Sequence, residues 1–437
     1  MSTRDKIKGN IINFILSEYV ENRTEFFHRI KSFKKEAIYF YYNFGDYHSY
    51  LLLTLLQNFH KYSELEIKII LIPHPKGEFD LVPDLRGDWD FRDSKTLSSF
   101  WELENNILEN IENLPDLKRD HISMAESIAI KIIENKKSPD HLKLIKKISD
   151  ALLSNDRETL NKLKKIYGKV DEVFREDYLK KNQKNQIKKG QYQSGVLSHN
   201  GIWYWGLDRI PFLEKRLKKR GLYKGSILKQ KKEIFTKEKS LILKNDSINL
   251  DFYFSFRSPY SYISLDRVFN LEKKYKIKLN IKPVLPMVMR GLPVPSQKGL
   301  YIIRDTSRLA RVLNIPFGKI SDPVGKGVEN CMALYQFVKD NGKEREFLLS
   351  ATKGCWSESL NLADPKDLKK VISRIGLNFD SAKGLLEKEN WREMTSKNQK
   401  ELEELGLWGV PSFHYKGQSF WGQDRISFLE ILMASSS

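Results

Sequence analysis

The stretch Asp251-Phe252-Tyr253-Phe254-Ser255-Phe256-Arg257-Ser258-Pro259-Tyr260-Ser261-Tyr262-Ile263 decides the fold of the second half of this chain. Its aromatic first part is dense enough for a buried β-strand, and a pattern of helical spacing begins at Ile263. Between the two, Ser258 can cap the free amides of the helix, and Pro259 suits the first helical position. The stretch therefore predicts a strand, a sharp turn and a helix. Ser258 would lie at the positive end of the helix dipole, where an anion is stabilised.

A second stretch near the C-terminus complements the first. Residues 406–426 read GLWGVPSFHYKGQSFWGQDRI and predict a loop, two strands joined by a tight turn, and a terminal helix. By itself Ser258 would be a plain helix cap, but the two stretches together are typical of a thioredoxin-like fold. In that fold a cis-proline, here Pro411, faces the start of the helix, and residues 258–261 replace a Cys-x-x-Cys. Because both cysteine positions hold serine, dithiol–disulfide chemistry at this site is excluded.

Residues from about 248 to 434 resemble the DsbA-like family that contains 2-hydroxychromene-2-carboxylate isomerase and kappa-class glutathione transferase. The resemblance implies a glutathione-dependent isomerase or transferase that acts on a small electrophilic substrate, aromatic or conjugated. It rests on four separated motifs in the same order: Asp251 to Tyr262, Lys298-Gly299-Leu300-Tyr301 with Arg304-Asp305, Gly409-Val410-Pro411-Ser412-Phe413, and Phe420-Trp421-Gly422-Gln423-Asp424-Arg425.

The resemblance also implies roles for single residues. Ser258 would be the catalytic residue, because a hydroxyl at a helix N-terminus favours the thiolate of glutathione. Asp424 would hold the α-ammonium group of glutathione, although it could also simply cap the last helix. The other residues that the resemblance assigns to glutathione are Lys298, at the glycyl carboxylate, Val410 and Pro411, at the cysteinyl backbone, and Gln423, while Tyr301, Asp305 and Asn330 are assigned to the second substrate.

Two features depart from the family pattern. Relatives have an Asn-Pro-Pro-like loop at the position of the segment Met289-Arg290-Gly291-Leu292-Pro293-Val294-Pro295. This difference affects one expected glutathione contact and the size of the pocket for the second substrate. Arg257 stands where relatives often have an apolar residue. Its cation would lower the pKa of a bound thiol or would face solvent.

The first half of the chain repeats the second. Phe40 to Leu51 aligns with Phe252 to Ile263, and Trp205 to Ile210 aligns with Trp421 to Ile426. The helical run from His121 to Asp171 aligns without a gap with the run from Asn330 to Asp380. A period near 210 residues indicates domain duplication and not a solenoid.

The first copy has different residues at the site. Asp46 stands in place of Ser258 and Gly195 in place of Pro411. A carboxylate would repel a thiolate, so this copy is predicted to be degenerate. As an alternative, Asp46, His48 and His74 could form a different acid–base site.

The sequence therefore predicts an α/β chain of two fused thioredoxin-like (DsbA-like) domains, each with a helical insertion. A helical extension packed on the body covers residues 1–34, the degenerate repeat 35–222, and the repeat with the intact site 248–437. A lysine-rich linker over 223–247 contains Lys229, Lys231, Lys232, Lys237, Lys239 and Lys244. We expect the first repeat to take the place of a partner subunit, so that the protein is a monomer with an internal pseudo-dimer.

Composition narrows the choice of function. The 437 residues carry a formal net charge of +19, which is compatible with nucleic acid, an anionic membrane surface or an anionic small substrate. The lysines lie on mixed Lys/Glu helical faces, so a nucleic-acid partner is not expected. No apolar run is long enough for a membrane span, no zinc or nucleotide motif occurs, and Cys331 and Cys355 are too few for a disulfide framework. These features predict a cytoplasmic protein without a metal. A non-catalytic binding or scaffold protein on the same duplicated fold is the alternative to the enzyme.

Overall fold

The computed structural model describes residues 3–31, 36–135, 140–226 and 249–435. The chain divides into two compact units, residues 22–233 (the N-terminal unit) and residues 1–21 with 234–437 (the C-terminal unit). The predicted linker lies outside the described residues from residue 227 to 247, and its six named lysines lie there too. Among the described residues, none of the helices combines the length and the apolar character that crossing a bilayer requires.

Helices α1 (Thr3–Ile15) and α2 (Glu18–Lys31) open the chain. The N-terminal unit then has four strands, β1 (Ala37–Tyr42), β2 (Glu66–Leu71), β3 (Val196–His199) and β4 (Ile202–Trp205). They form a sheet in the order β2-β1-β3-β4, in which β1 is parallel to β2 and antiparallel to β3. Its helices are α3 (Tyr47–Leu56), α4 (Pro83–Trp101), α5 (Arg119–Glu134), α6 (His141–Leu153), α7 (Arg157–Tyr167), α8 (Glu172–Lys188) and α9 (Ile210–Lys219).

The C-terminal unit has a sheet of the same plan. Its strands are β5 (Asn249–Phe254), β6 (Lys278–Pro283), β7 (Ser412–Tyr415) and β8 (Gln418–Trp421). Their order is β6-β5-β7-β8, again with one parallel pair and two antiparallel pairs. The helices are α10 (Pro259–Tyr275), α11 (Ser296–Val312), α12 (Lys326–Asp340), α13 (Glu344–Ser357), α14 (Pro365–Ser373), α15 (Phe379–Ala382), α16 (Trp391–Glu404) and α17 (Ile426–Ser435). The predicted α/β class is confirmed, and the two sheets share one strand order.

The central strand of each sheet carries the same aromatic core. In β5 and the turn after it, the rings of Phe252, Phe254 and Phe256 contact one another edge to face, at 5.9 and 5.1 Å between centroids. In the N-terminal unit the aligned residues Phe40, Tyr42 and Phe44 do the same, at 5.5 and 5.0 Å. All six side chains are buried. Such edge-to-face pairs stabilise a core beyond the area they bury.

The helical insertions of the two units agree only in part. Helices α5 and α12 begin at nearly equivalent positions, as the gap-free alignment predicts. The long helix α8 of the N-terminal unit, however, stands where the C-terminal unit has the four-residue helix α15. The next long helix there, α16, begins only at Trp391.

The range predicted as one extension, residues 1–34, is divided between the units, because residues 1–21 belong to the C-terminal unit and residue 22 begins the N-terminal unit. Helix α1 packs on the C-terminal unit with an unexpected face. Its buried residues are Gly9 and Leu16, whereas Ile7, Ile11 and Phe14 are more than half exposed. The apolar residues that predict the helix are therefore not the ones that attach it. Gly9 allows this arrangement because a Cβ at this position would collide with the Ser359 side chain.

Candidate active site of the C-terminal unit

Ser258 is the N-cap of α10, as its sequence predicts. Strand β5 ends at Phe254, and Ser258 takes an extended backbone conformation immediately before Pro259. Its Oγ accepts a hydrogen bond from the amide of Ser261 at 3.1 Å. The hydroxyl is half-buried at the start of a helix of 17 residues, where the exposed amides and the helix dipole favour a negative charge.

The proline-bearing loop faces this serine. The Val410–Pro411 peptide bond is cis, which confirms the conformation predicted for Pro411. Ser258 Oγ donates a hydrogen bond to the carbonyl oxygen of Val410 at 3.2 Å. The amide of Gly422 donates to the carbonyl of Pro411 at 2.8 Å, which joins the loop to the end of β8. The structure therefore brings Ser258 next to Val410 and Pro411, which are far from it in sequence.

Two tryptophans and an arginine hold this loop from behind. The rings of Trp408 and Trp421 lie 4.5 Å apart between centroids, and a Cβ at Gly409 would collide with the Trp421 ring. Arg290 donates from Nη2 to the carbonyl oxygen of Trp408 at 2.7 Å. Burial lowers the pKa of Arg290, against the opposing charge of Glu403. Arg290 belongs to the segment that departs from the family pattern, so this segment braces the proline loop.

Gln423 and Asp424 form a short 3₁₀ turn after β8, and α10 holds this turn. Arg267, on α10, donates to the Gln423 side-chain oxygen, and the Gln423 amide donates to Asp424 Oδ1. Burial lowers the pKa of Arg267, although the negative charge of Asp424 opposes the shift. No motif in the sequence indicates a role for Arg267. A cation on the otherwise apolar face of α10 is the signal that could have identified it.

Helix α11 carries three of the predicted residues. Asp305 is almost completely buried, and its Oδ2 accepts a hydrogen bond from the hydroxyl of Tyr260 at 2.7 Å. Tyr260 lies two residues after Ser258, so this bond joins the first turn of α10 to α11. Tyr301 is buried one turn before Asp305, and Lys298 is half-buried in the first turn of the helix.

Asn330 lies in α12, and Arg257 contacts the segment that leads into this helix. Asn330 is buried and donates from Nδ2 to the carbonyl of Leu362 at 3.0 Å, while its Oδ1 has no hydrogen-bond partner among the described residues. Arg257 makes a bidentate ion pair with Asp322, at 2.8 Å for both contacts. Its charge is therefore compensated by Asp322 at a partly exposed position.

The aligned residues of the N-terminal unit form a closed arrangement. Asp46 caps α3 and accepts hydrogen bonds from the amides of His48 and Ser49, each at 3.1 Å, and from the Ser49 hydroxyl at 2.6 Å. Gly195 has a φ of +63°. A Cβ at Gly195 would lie only 3.2 Å from Asp46 Oδ2, so the loop packs directly on the carboxylate. Little space remains there for a ligand.

A buried charge cluster stands beside Asp46. His48 is 8% exposed, and its Nε2 lies 3.6 Å from Asp90 Oδ1 and 3.7 Å from Asp93 Oδ2. Arg86 pairs with the second oxygen of Asp90 at 3.3 Å. Burial by itself would lower the pKa of His48, but the carboxylates of Asp90, Asp93 and Asp46 raise it to about 9. The imidazole is therefore a cation at neutral pH.

The cluster is larger than the predicted alternative site. Asp46 and His48 are adjacent, while His74 reaches the cluster indirectly, because it lies 3.4 Å from Asp80, which pairs with Arg86. Within the described ranges, no three His, Cys, Asp or Glu side chains are grouped so that they could hold a metal ion. In the sequence, the acidic stretch that follows His74 indicated this cluster, but no fixed spacing related that stretch to His48.

We expect the N-terminal unit to lose stability in alkaline solution. Because folding raises the pKa of His48 from 6.5 to about 9, the stabilisation is complete below pH 6.5 and is lost as the pH rises through 9. The loss should be about 2–3 kcal/mol, measured as the free energy of unfolding in urea at pH 6 and pH 9.5. His48→Gln should abolish this dependence, whereas His60→Gln, at an exposed position of the same unit, should keep it. An equal slope in His48→Gln would contradict the assignment.

Comparison with known proteins identifies relatives of the second half of the chain. Residues 249–434 match the DSBA-like thioredoxin domain, so this part of the chain is a DsbA-like thioredoxin domain. The 2-hydroxychromene-2-carboxylate isomerase of Sphingobium xenophagum is 25% identical over 191 residues, which are 41% of this chain and 95% of that protein. The glutathione S-transferase kappa 1 of Homo sapiens is 28% identical over 209 residues, covering 42% of this chain and 90% of the relative.

Two solved structures are similar to part of this chain. A structure of 2-hydroxychromene-2-carboxylate isomerase is 20% identical in sequence and covers 43% of this chain and 95% of its own, with a TM-score of 0.38. The cytosolic disulfide reductase DsbM from Pseudomonas aeruginosa, solved with GSH, is 16% identical and covers 43% of this chain and all of its own, with a TM-score of 0.34.

Proposed function

We propose that the C-terminal unit is a glutathione-dependent isomerase or transferase for a small electrophilic substrate, with Ser258 as the catalytic residue. One observation carries the proposal. The Ser258 hydroxyl lies at the N-terminus of α10 and within 3.2 Å of the carbonyl that precedes Pro411. A hydroxyl in this place can donate to a thiolate, whereas it cannot exchange a disulfide.

The residues predicted for the site fit glutathione chemically. The tripeptide offers a thiol, peptide N–H groups, an α-ammonium group and two carboxylates. The Val410 carbonyl is an acceptor for a peptide N–H, and the half-buried carboxylate of Asp424 suits an ammonium group. Lys298, in the first turn of α11, suits a carboxylate. When bound, glutathione would supply a thiolate nucleophile for addition to a conjugated substrate.

Ser258 would act by exchanging hydrogen-bond partners. Its hydroxyl now donates to the Val410 carbonyl. When this carbonyl accepts from a peptide N–H instead, the hydroxyl becomes available to donate to sulfur. Its Oγ continues to accept from the Ser261 amide, so the O–H keeps its position relative to the axis of α10. The helix dipole adds to the effect, because it favours an anion at this end.

A dithiol mechanism has no support in this chain. Its two cysteines, Cys331 and Cys355, are both completely buried. Burial raises the pKa of both thiols far above neutrality, so that the reactive thiolate form is scarce. We therefore expect no activity in an insulin-reduction assay.

Titration calorimetry with glutathione, combined with turnover assays, tests the proposal. The assays would use 2-hydroxychromene-2-carboxylate for isomerisation and a chlorinated dinitrobenzene for transfer. We expect binding of glutathione and glutathione-dependent turnover of one of the two substrate classes. If millimolar glutathione gives no binding signal, the proposed function is wrong.

Asp424→Asn should weaken glutathione binding about tenfold, because a half-exposed charge-assisted hydrogen bond to the ammonium group is lost. The measurement is the Kd by calorimetry, with glutathione and with cysteinylglycine, which lacks the γ-glutamyl group. The variant should bind cysteinylglycine as the unchanged protein does. Asp266→Asn, at an exposed carboxylate on α10, is the matched control and should bind both peptides normally. Equal weakening toward both peptides would argue against this role for Asp424.

We propose in addition that the chain arose by duplication and that the N-terminal unit has no glutathione chemistry. Matching strand order and matching aromatic cores support the duplication. Asp46 in place of the hydroxyl, covered by Gly195, supports the loss of function. For this unit a purely structural role is the better candidate.

A further inference from the structure

Helix α1 turns an apolar face to solvent. Ile7, Ile11 and Phe14 are 54–58% exposed, and Ile15 is 45% exposed. These four residues follow the spacing i, i+4, i+7, i+8 and therefore lie along one side of the helix. Tyr19, after the end of α1, is 57% exposed. We call these five residues the α1 apolar face. A surface helix of a globular protein normally turns such a stripe toward the core.

Specific polar contacts hold α1 in this orientation. The carbonyl of Leu16 accepts hydrogen bonds from Arg311 Nη1 at 2.9 Å and from the Ser307 hydroxyl at 3.1 Å. Glu21 pairs with Arg311 at 2.8 Å and with Arg308 at 3.1 Å. On the buried side, Gly9 brings the helix backbone against residue 359. The exposure of the apolar face is therefore a consequence of how the helix is docked.

Exposed apolar residues are concentrated in this part of the chain. Among the described residues, 16 large hydrophobic side chains are exposed, and eight of them lie between residues 7 and 30. Three of the eight, Phe26, Phe27 and Ile30, belong to α2 in the N-terminal unit. Isolated exposed hydrophobics need no explanation, but the five that form the α1 apolar face are neighbours on one helix and its end, and such a patch marks a surface that binds something apolar.

The size of the α1 apolar face argues against a second protein chain. Five half-exposed side chains of this size present roughly 500 Å². A specific protein interface needs roughly 800 Å² on each partner. The face alone is therefore too small for a stable dimer, whereas a single helix of this kind is sufficient to lie in the surface of a bilayer.

Charge complementarity identifies the kind of bilayer. Lys8 is exposed beside Ile7, and Glu18, next to Tyr19, is an exposed residue of opposite charge. Arg4 and Lys6 precede them in the sequence, and the whole chain has a formal net charge of +19. Basic residues beside an apolar helical face are the combination that binds anionic lipid.

We propose that α1 attaches this protein to anionic lipid surfaces, with the α1 apolar face inserted between headgroups and its lysines against the lipid charges. The helix lies in the interface and does not cross the bilayer. The attachment uses a face that is separate from the contacts of Ser258, so it does not depend on the proposed glutathione chemistry.

Flotation of the full chain with lipid vesicles tests the proposal. We expect binding to vesicles of equal parts phosphatidylcholine and phosphatidylserine, little binding to phosphatidylcholine alone, and release as the salt concentration rises. The double variant Ile11→Ser with Phe14→Ser should bind at least about tenfold more weakly. Both side chains are exposed, so the fold should tolerate the change.

The matched control removes exposed apolar area elsewhere. Ile166→Ser with Val173→Ser changes two side chains that are 69% and 73% exposed on α7 and α8, and it should bind vesicles normally. Failure of the unchanged protein to float would overturn the proposal, and so would equal binding of the Ile11/Phe14 variant. Sedimentation without lipid completes the test, since a dimer that this variant abolishes would identify a second copy of the chain as the true occupant.

Discussion

Ser258→Ala is expected to lower kcat/KM for glutathione-dependent turnover about 100-fold, because a hydrogen bond to a charged group is worth about 1.5–3 kcal/mol. The Kd for glutathione should change by less than about threefold, since most binding contacts remain. The pKa of the bound thiol, followed by the ultraviolet absorbance of the thiolate, should rise toward its free value. Loss of the thiolate at neutral pH would explain the loss of turnover.

Ser258 also caps α10, so Ser258→Ala changes the stability of the helix as well as the site. Removing a serine cap costs about 1 kcal/mol of helix stability, which by itself could disturb the site. Asp364→Ala is the matched control, because Asp364 caps α14 in the same unit through the Lys366 amide at 2.8 Å. It should lower stability similarly and leave turnover unchanged. Equal losses of turnover in both variants, or a thiol pKa that does not move in Ser258→Ala, would refute the catalytic role.

Gly409→Ala should produce the second large effect, a loss of about 2–3 kcal/mol in the free energy of unfolding of the C-terminal unit. The new Cβ would collide with the Trp421 ring, which also packs against the Trp408 ring. Either the ring or the loop must move, and the loop carries Val410 and Pro411. We therefore also expect weaker glutathione binding. Urea unfolding and calorimetry would measure the two effects.

Gly384→Ala is the control for Gly409→Ala. Neither glycine has a positive φ, and a Cβ at Gly384 would meet no atom within 4 Å, so only the collision differs between the two changes. Adding Trp421→Phe to Gly409→Ala should restore part of the stability, because the indole atoms that collide are removed. If Gly409→Ala is as stable as Gly384→Ala, the rigid support of the loop described above is wrong.

Local patterns predicted those features that depend on neighbours in sequence. The cap at Ser258, the conformation of Pro411 and the aromatic strand β5 follow from short motifs whose geometry is fixed by proline, serine and aromatic residues. The prediction that the first copy is degenerate rests on the alignment of Asp46 with Ser258 and of Gly195 with Pro411. For these elements the local preference and the tertiary structure agree.

Features that depend on distant pairs could not be predicted. Arg267 and Gln423 are 156 positions apart, and Arg290 lies 118 positions from Trp408. No periodicity encodes such contacts. The orientation of α1 was also misleading, since its apolar stripe predicts the helix but not which side meets the body. That choice depends on Gly9 and on the polar anchors around Leu16.

The backbone at Gly195 has a consequence for the history of the first copy. Its φ of +63° is closed to proline, whose ring requires a φ near −65°. Replacing Asp46 by serine and Gly195 by proline would therefore not restore the proposed ancestral pocket. The backbone around residue 195 would also have to change its conformation. Under the proposed duplication, the loss of the site in this copy is irreversible by single steps, and selection on the proposed glutathione chemistry can act through the C-terminal unit only.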